Sequence, residues 1–401
     1  MISVTEATEL VLRQASERPK EQAPLAEAVG RVLAEPLLAD RDFPPFTRVS
    51  MDGIAIRYAA FAEGRRQFVV QSGLQAAGSP QLRLDEPSAC VEVMTGAILP
   101  AGADTVVRYE DVTLADGQAT IQIEEVREGQ NAHPQGSDRR QGDLLVAPGR
   151  AITPAEVGIA ATVGKARLWV RSLPRTVVLS TGDELVPVDD SPLPYQIRRS
   201  NVHTVVAQLR SWGLAPDELH LPDERASIRK TMADCLERYE LLILSGGVSK
   251  GKLDFVPEVL DELGVQKHFH QVQQRPGKPF WFGTTAGGAT VFALPGNPVS
   301  TFVGVLRYVQ PWLRQSLGLS PLPYRYAALS ADFYFKPSLT YFLQVKVHFR
   351  ENGRLEAEPV AGRGSGDLAN LPEADGILEL PAGRQQFQAG EVFPLLTYRG
   401  L

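Results

Sequence analysis

Two cysteines in 401 residues, Cys90 and Cys235, are too few and too far apart for a disulfide framework or a thiolate metal cluster. They read as reduced residues of a cytosolic protein. An excess of basic charge is also lacking. The 41 Lys and Arg are outnumbered by 47 Asp and Glu, for a net charge of -6, which argues against sequence-independent binding of nucleic acid. No apolar run approaches the roughly 18 residues of a membrane span. The opening "MISVTEATELVLRQ" carries glutamates where a secretory signal would be basic and then continuously apolar. The cytoplasm is the expected location, with no membrane partner. Neither GxxxxGK[ST] nor GxGxxG follows a candidate strand, so P-loop and dinucleotide chemistry are unsupported. His203, His268 and His270 form no metal-ligand triad, and Ser249 and Ser300 have no Asp-His companion for acyl transfer.

What is present is a chain of two to four domains with no internal repeat. The N-terminus reads as a helix with Val4, Ala7, Leu10 and Val11 on one face. "EPLLADRDFPPFTRVSMDGIAI" has too many prolines and charges for a regular element. From about Phe68 to Val146, runs such as "RQFVVQSG", "ACVEVMTG" and "ATIQIEEV" alternate with Gly, Pro and Asp turns, the pattern of a small β-rich domain. Pro154 opens a helix behind Thr153. Beyond Arg175 the pattern changes: "RTVVLS", "LLILS" and "TVFALP" are continuous apolar strands separated by helical stretches. That alternation predicts an open, mainly parallel α/β sheet buried on both faces. The tail turns β-rich again and predicts a small barrel. The expected division is 1–43 with 147–172 as a helical and linker part, 44–146 as the small β-rich part, 173–320 as the α/β domain and 321–401 as the C-terminal barrel.

Three strands of the α/β part end in "LSTGDEL", "LSGGVSKGKLDF" and "ALPGNPVS". In such sheets ligands bind beyond the carboxyl ends of the strands. Glycines there admit a close backbone approach, and the next helix adds partial positive charge. With Lys250, Lys252 and Lys278 nearby, these loops suit a phosphorylated ligand. The acids suit a divalent cation between carboxylates and phosphates, for which Mg²⁺ takes one or two carboxylates plus phosphate and water. Glu184 follows the first strand, Asp223 the second and Asp254 the third, so a parallel sheet gathers all three on one edge. Taken singly, Asp223 or Asp254 equally suits a helix N-cap, and Asp183 a turn.

"SMDGIA", "MTGAILPAGADTVV", "TGDEL", "SGGVSKGKLDF", "RPGKPFWFG" and "LPGNPVS" occur in this order along the chain. Together they resemble the molybdopterin molybdenumtransferases, the MoeA and gephyrin E-domain family, and the resemblance runs over essentially the whole chain. It implies a homodimer of four-subdomain protomers whose active cleft combines the α/β part of one protomer with the small β-rich part of the other. It implies as chemistry the insertion of molybdate into adenylylated molybdopterin, with AMP released and Mg²⁺ required. On matching positions it makes Asp52, Thr95, Glu184 and Asp254 catalytic. It places Ser245, Gly246, Gly247, Ser249, Lys278, Pro298 and Ser300 on the substrate, with Arg275 beside Lys278 balancing oxyanion charge, and Glu184, Asp254 and Asp223 on the metal; Asp223 and Asp138 match more loosely. Molybdopterin adenylyltransferase and molybdoenzyme-maturation proteins are the partners it implies.

The chain departs from the family pattern at several places. Arg275 stands at the first basic position of the usual "KPGKP", replacing a compact ammonium by a fork of donors. Lys250 stands where a small or apolar residue is usual, Gln344 where an arginine is frequent, and Ala369 and Asn370 where the family has a serine pair. Three other readings compete. They are a non-catalytic molybdopterin-binding scaffold, the related adenylyltransferase with its "GGTG"-type loop, and a general Mg²⁺-dependent phosphohydrolase.

Overall fold

A computed structural model describes residues 1–248, 254–323, 325–360, 362 and 364–399. Two compact units result. One comprises Met1–Ala34, Gly149–Thr153 and Arg167–Leu401, the other Glu35–Pro148 and Pro154–Ala166. The α/β and C-terminal parts expected from the sequence thus fall together in the first unit, and the small β-rich part lies in the second.

The first unit is built on a six-stranded sheet ordered Asp217–Leu221, Thr176–Thr181, Leu241–Ser245, Thr290–Leu294, Trp281–Thr284, Gln266–His270. The first four strands are parallel and the last two antiparallel. Every residue of the three central parallel strands is buried, which is why their sequences read as unbroken apolar runs. Because side chains alternate across a strand, Val178, Ile243 and Phe292 enter one core and Val177, Leu179, Leu242, Leu244, Val291 and Ala293 the other. The helix Ser200–Ser211 covers the first face through Val202, Val205, Val206 and Leu209, the i, i+3, i+4, i+7 stripe of an amphipathic helix. Arg225–Arg238 covers the second through Ile228, Met232 and Cys235. The N-terminal helix Val4–Arg13 begins on a capping box, Ser3 with Glu6, and buries Val4, Ala7 and Val11 in the first core.

The C-terminal strands close on themselves in the order Thr340–Phe349, Leu355–Pro359, Arg325–Leu329, Val392–Thr397, Gly376–Leu380, with the last pairing the first. Closure leaves no free sheet edge among these five. One short strand, Gln274–Arg275, lies against the barrel at Thr340 and Tyr341. A second link is the ion pair Arg307–Glu379 (2.8 Å), between the long helix region that starts at Pro298 and a barrel strand; both side chains are largely buried.

The second unit carries a six-stranded sheet ordered Thr105–Arg108, Gly53–Ile56, Ala89–Val93, Gln67–Gln75, Gln118–Ile121, Val112–Ala115. One expectation fails here. The proline-rich stretch through "SMDGIAI" does contain regular structure: Gly53–Ile56 is a fully buried strand inside the sheet. Gly53 is required there because a Cβ would run into the Val107 carbonyl of the neighbouring strand. Both cysteines are free and buried, and no helix among the described residues is long and apolar enough to cross a membrane.

The Arg307–Glu379 link yields a test. Glu379→Leu leaves a buried guanidinium without its carboxylate and should lower stability to urea by roughly 3 kcal/mol, whereas Arg307→Met/Glu379→Leu should come close to wild type.

Candidate functional site

The parallel register brings Ser180, Ser245 and Leu294 level with one another. The three loops that follow therefore leave the sheet side by side and line one cleft of about 830 Å³. The helix starting at Pro298, the Arg275–Lys278 loop and barrel residues including Tyr341 and Gln344 complete its wall.

Several backbone positions in this cleft accept only glycine. Gly246 and Gly247 have φ of +105° and +70°, and a Cβ would come within 2.8 Å of Thr181 Oγ1 and 2.7 Å of Val256 Cγ2 respectively. The loops are also tied to one another. Asn201, in the first turn of its helix, donates through Nδ2 to Ser245 Oγ (2.9 Å) and to the Gly296 carbonyl (2.6 Å). Ser245 Oγ lies 3.3 Å from Thr301 Oγ1, which donates to the Pro295 carbonyl at 2.6 Å. Asn297 Nδ2 reaches Ser365 Oγ at 2.8 Å, connecting the "LPGNPVS" loop to the chain ahead of the last barrel strands. Gly246 N–H donates to the Leu294 carbonyl at 3.0 Å. Asn201 and Ser365 carry no signal in the sequence; their roles appear only once the loops are brought together.

Glu184, Asp223 and Asp254 all line this cleft. Asp223 and Asp254 each stand one residue ahead of the helix caps, Glu224 and Phe255, neither of which makes a side-chain capping bond. Asp183 Oδ1 accepts the Asp223 backbone N–H at 3.0 Å. Burial, together with repulsion from Asp183, Glu184 and Asp254, raises the Asp223 carboxyl above its ordinary value. Among the described residues, no group of three or more His, Cys, Asp or Glu is close enough to hold an ion unaided. Fewer than three of these described groups can reach one ion, so a hard cation here would need water and ligand oxygens to complete its shell.

Arg275 and Lys278 are the exposed basic residues of the facing loop. The Arg275 guanidinium sits 6.0 Å above the Phe335 ring, and Pro298 and Ser300 open the neighbouring helix, with Ser300 buried. Gln344 accepts from Asn370 Nδ2 at 3.4 Å, so two of the positions that depart from the family pattern touch each other. Ser249, Lys250 and Lys252 lie outside the described residues. Two more groups carry no signal in the sequence: Arg199 on the cleft wall, whose Nε is buried with no hydrogen-bond partner among the described residues, and His220, whose Nδ1 lies 3.0 Å from Ser180 Oγ. Burial and then the Arg199 charge push the His220 imidazole below its usual range. His268 and His270 pair with Thr284 Oγ1 and the Val248 carbonyl, and His203 with Glu218.

In the second unit, Thr95 donates both its N–H and its hydroxyl to Asp52 Oδ1, at 2.7 Å each, which holds the Asp52 carboxyl below its usual range. Asp138 is 2.9 Å from His133 Nε2 and is likewise lowered, chiefly by that contact.

Models of the MoeA N-terminal region (domain I and II), a probable molybdopterin binding domain and the MoeA C-terminal region (domain IV) match residues 2–164, 177–315 and 326–398. The molybdopterin molybdenumtransferase of Synechocystis sp. is 40% identical over 401 residues, covering 99% of this chain and 100% of that protein. This chain belongs to the molybdopterin molybdenumtransferase family. The family's protein from Bacillus subtilis is 32% identical, with 99% and 94% covered. A crystal structure of the molybdopterin biosynthesis MoeA protein from Pyrococcus horikosii superposes with a TM-score of 0.86 at 26% identity, covering all of both chains. Membership across the full length supports a transferase of molybdenum cofactor biosynthesis rather than a scaffold.

The raised Asp223 carboxyl gives a signed pH test. Its proton is held more tightly in the folded chain than in the unfolded one, so the charged form opposes folding above that folded value. Without divalent cation, Asp223→Asn should therefore raise the melting temperature at pH 7. The gain should shrink as pH falls through the folded value and vanish below the unfolded value of about 3.9. A thermal-shift series across pH reads both.

Proposed function

We propose that this chain inserts molybdate into adenylylated molybdopterin with release of AMP, that Mg²⁺ assists, and that the working form is a homodimer. The observation carrying this reading is a cleft that gathers the acids of the sheet's carboxyl rim, glycine loops and the basic Arg275 and Lys278. Cleaving a phosphoric anhydride demands little covalent chemistry from a protein and much charge neutralisation and positioning.

Each group has a role on this reading. Gly246 and Gly247 let the backbone approach the phosphates, and the helix opening at Pro298 adds its partial positive charge. Glu184 and Asp254, with Asp223 behind them, would hold Mg²⁺, which supplies charge neutralisation on the phosphate oxygens. Ser245, which accepts from Asn201 and shares its proton with Thr301, fixes the floor of the substrate cleft. Lys278 and Arg275 balance the charge of molybdate; the planar guanidinium offers it paired donors where an ammonium would offer a point charge. Asp52, ionised and oriented by Thr95, would enter from the partner protomer to orient the attacking oxygen. Ser249 belongs to the same ligand loop by its sequence. The preceding adenylyltransferase and cofactor-accepting maturation proteins are the partners this chemistry calls for, in the cytoplasm.

Release of AMP by the purified chain, followed by chromatography, tests the reading. It should require both molybdate and Mg²⁺. Release without molybdate would indicate a general hydrolase, and tight binding without release a carrier. Glu184→Gln or Asp254→Asn should slow AMP release by about a hundredfold or more, and full activity in both would remove the metal assignment. Lys278→Ala should raise the KM for molybdate by about tenfold. A cleft shared between protomers makes a further demand: mixing Asp52→Ala with Glu184→Gln protein should restore about a quarter of wild-type activity through heterodimers with one intact site. No recovery after verified subunit exchange would place Asp52 and Glu184 in the same protomer's site.

A further inference from the structure

The helix Pro298–Gly304 continues into Val305–Val309, wound as a π-helix, and on into Gln310–Ser316. Such wide turns are rare and concentrate where a helix must aim particular side chains. Here two consecutive residues are aimed at different neighbours. Arg307 reaches Glu379 of the barrel, while Tyr308, wholly buried, packs its ring 4.8 Å from that of Phe280 and donates its hydroxyl to Gln274 Oε1. Gln274 is itself 1% exposed. Its Nε2 donates to the carbonyls of Pro276 (3.1 Å) and Gly277 (3.2 Å). Those carbonyls form the tip of the loop that carries Arg275 and Lys278. The fit is tight: Gly277 has φ +87°, and a Cβ on it would stand 2.8 Å from Gln274 Nε2.

We propose that Tyr308 and Gln274 are positioning residues for the oxyanion side of the cleft, and that the π-helical turn exists to bring Tyr308 beneath the Arg275–Lys278 loop. The proposal rests on the reading of that loop as the molybdate-facing wall. Its logic is directional. A carboxamide has one acceptor and two donors, and here the acceptor is taken by the phenol, which fixes which way the amide faces and leaves both donors for the loop. Burial raises the Tyr308 phenol, so it stays a neutral donor at working pH. Backbone pairing of Val272 N–H with the Lys278 carbonyl (3.0 Å) secures the base of the loop. The amide secures its tip. Two basic side chains then approach a small tetrahedral anion from fixed origins, and a shift of about 1 Å in such a site weakens its action by orders of magnitude.

The test separates positioning from bulk stability. Tyr308→Phe leaves the Gln274 carbonyl oxygen buried without a donor and should raise the KM for molybdate by about five- to tenfold, with kcat less affected. Its melting temperature should fall as well. Tyr308→Phe/Gln274→Met removes both polar partners, so stability should return toward wild type, while the KM stays raised because nothing holds the loop tip. Calorimetric titration of the full chain with molybdate alone should show the same ratio of affinities, independently of turnover. The inference is overturned if the double variant recovers wild-type KM together with its stability, if Tyr308→Phe leaves molybdate affinity unchanged, or if the wild-type chain binds no molybdate. A wild-type chain that binds molybdate and releases no AMP would sink the transferase reading, and the same affinity ratio would still uphold the positioning pair.

Discussion

The cleft depends on the register of three buried parallel strands. Because Ser180, Ser245 and Leu294 lie abreast, the loops behind them start from one level, and distant residues such as Gly182, Gly246 and Gly296 become neighbours. The strands stay in register because both faces of each are covered by core; slipping one by a residue would turn every apolar side chain to the wrong face. Precision at the site is thus borrowed from packing far below it. The Asn201 amide then converts parallel strand ends into a single rim by bonding to two of the loops.

Charge of both signs gathers at this rim. Glu184, Asp223 and Asp254 line it, Asp223 raised by burial and then by repulsion from its neighbours, together with Arg199 and, on a loop carried beside the barrel, the exposed Arg275 and Lys278. A folded chain tolerates such an arrangement poorly unless a ligand of mixed charge completes it. The basic wall is the better supported mechanically. It is held by barrel pairing at Thr340 and Tyr341 and by the buried amide of Gln274.

Much of this was legible in the order of residues. "TVVLS", "LLILS" and "TVFAL" announced strands buried on two faces because nothing polar interrupts them. Edge strand Asp217–Leu221 was not announced: Asp217, Glu218 and Leu219 are exposed and only Leu221 is fully buried, so no apolar run marks it, and only the position of Asp223 after it hinted that a strand was there. Gly53–Ile56 was hidden by the prolines that precede it, since breakers next to a short strand mask its pattern. Among site residues, the acids and glycines were readable from loops that follow apolar runs. Asn201, Gln274, Tyr308 and Ser365 were not, because a hydrogen bond between residues dozens of positions apart leaves no local trace. The same holds for Arg199 and His220, whose significance is one of burial and neighbours.

The concealment of both sulfhydryls has a chemical corollary. Burial pushes Cys90 up to about 12 and Cys235 up to about 11, so neither exists as a thiolate at neutral pH, and thiolate is the form that captures soft metals or attacks disulfides. Neither buried cysteine therefore competes for a soft metal, and no described residue lining the cleft carries sulfur. An ion entering the cleft would meet only oxygen and nitrogen donors from its described lining, so any sulfur ligation would have to come from a bound small molecule.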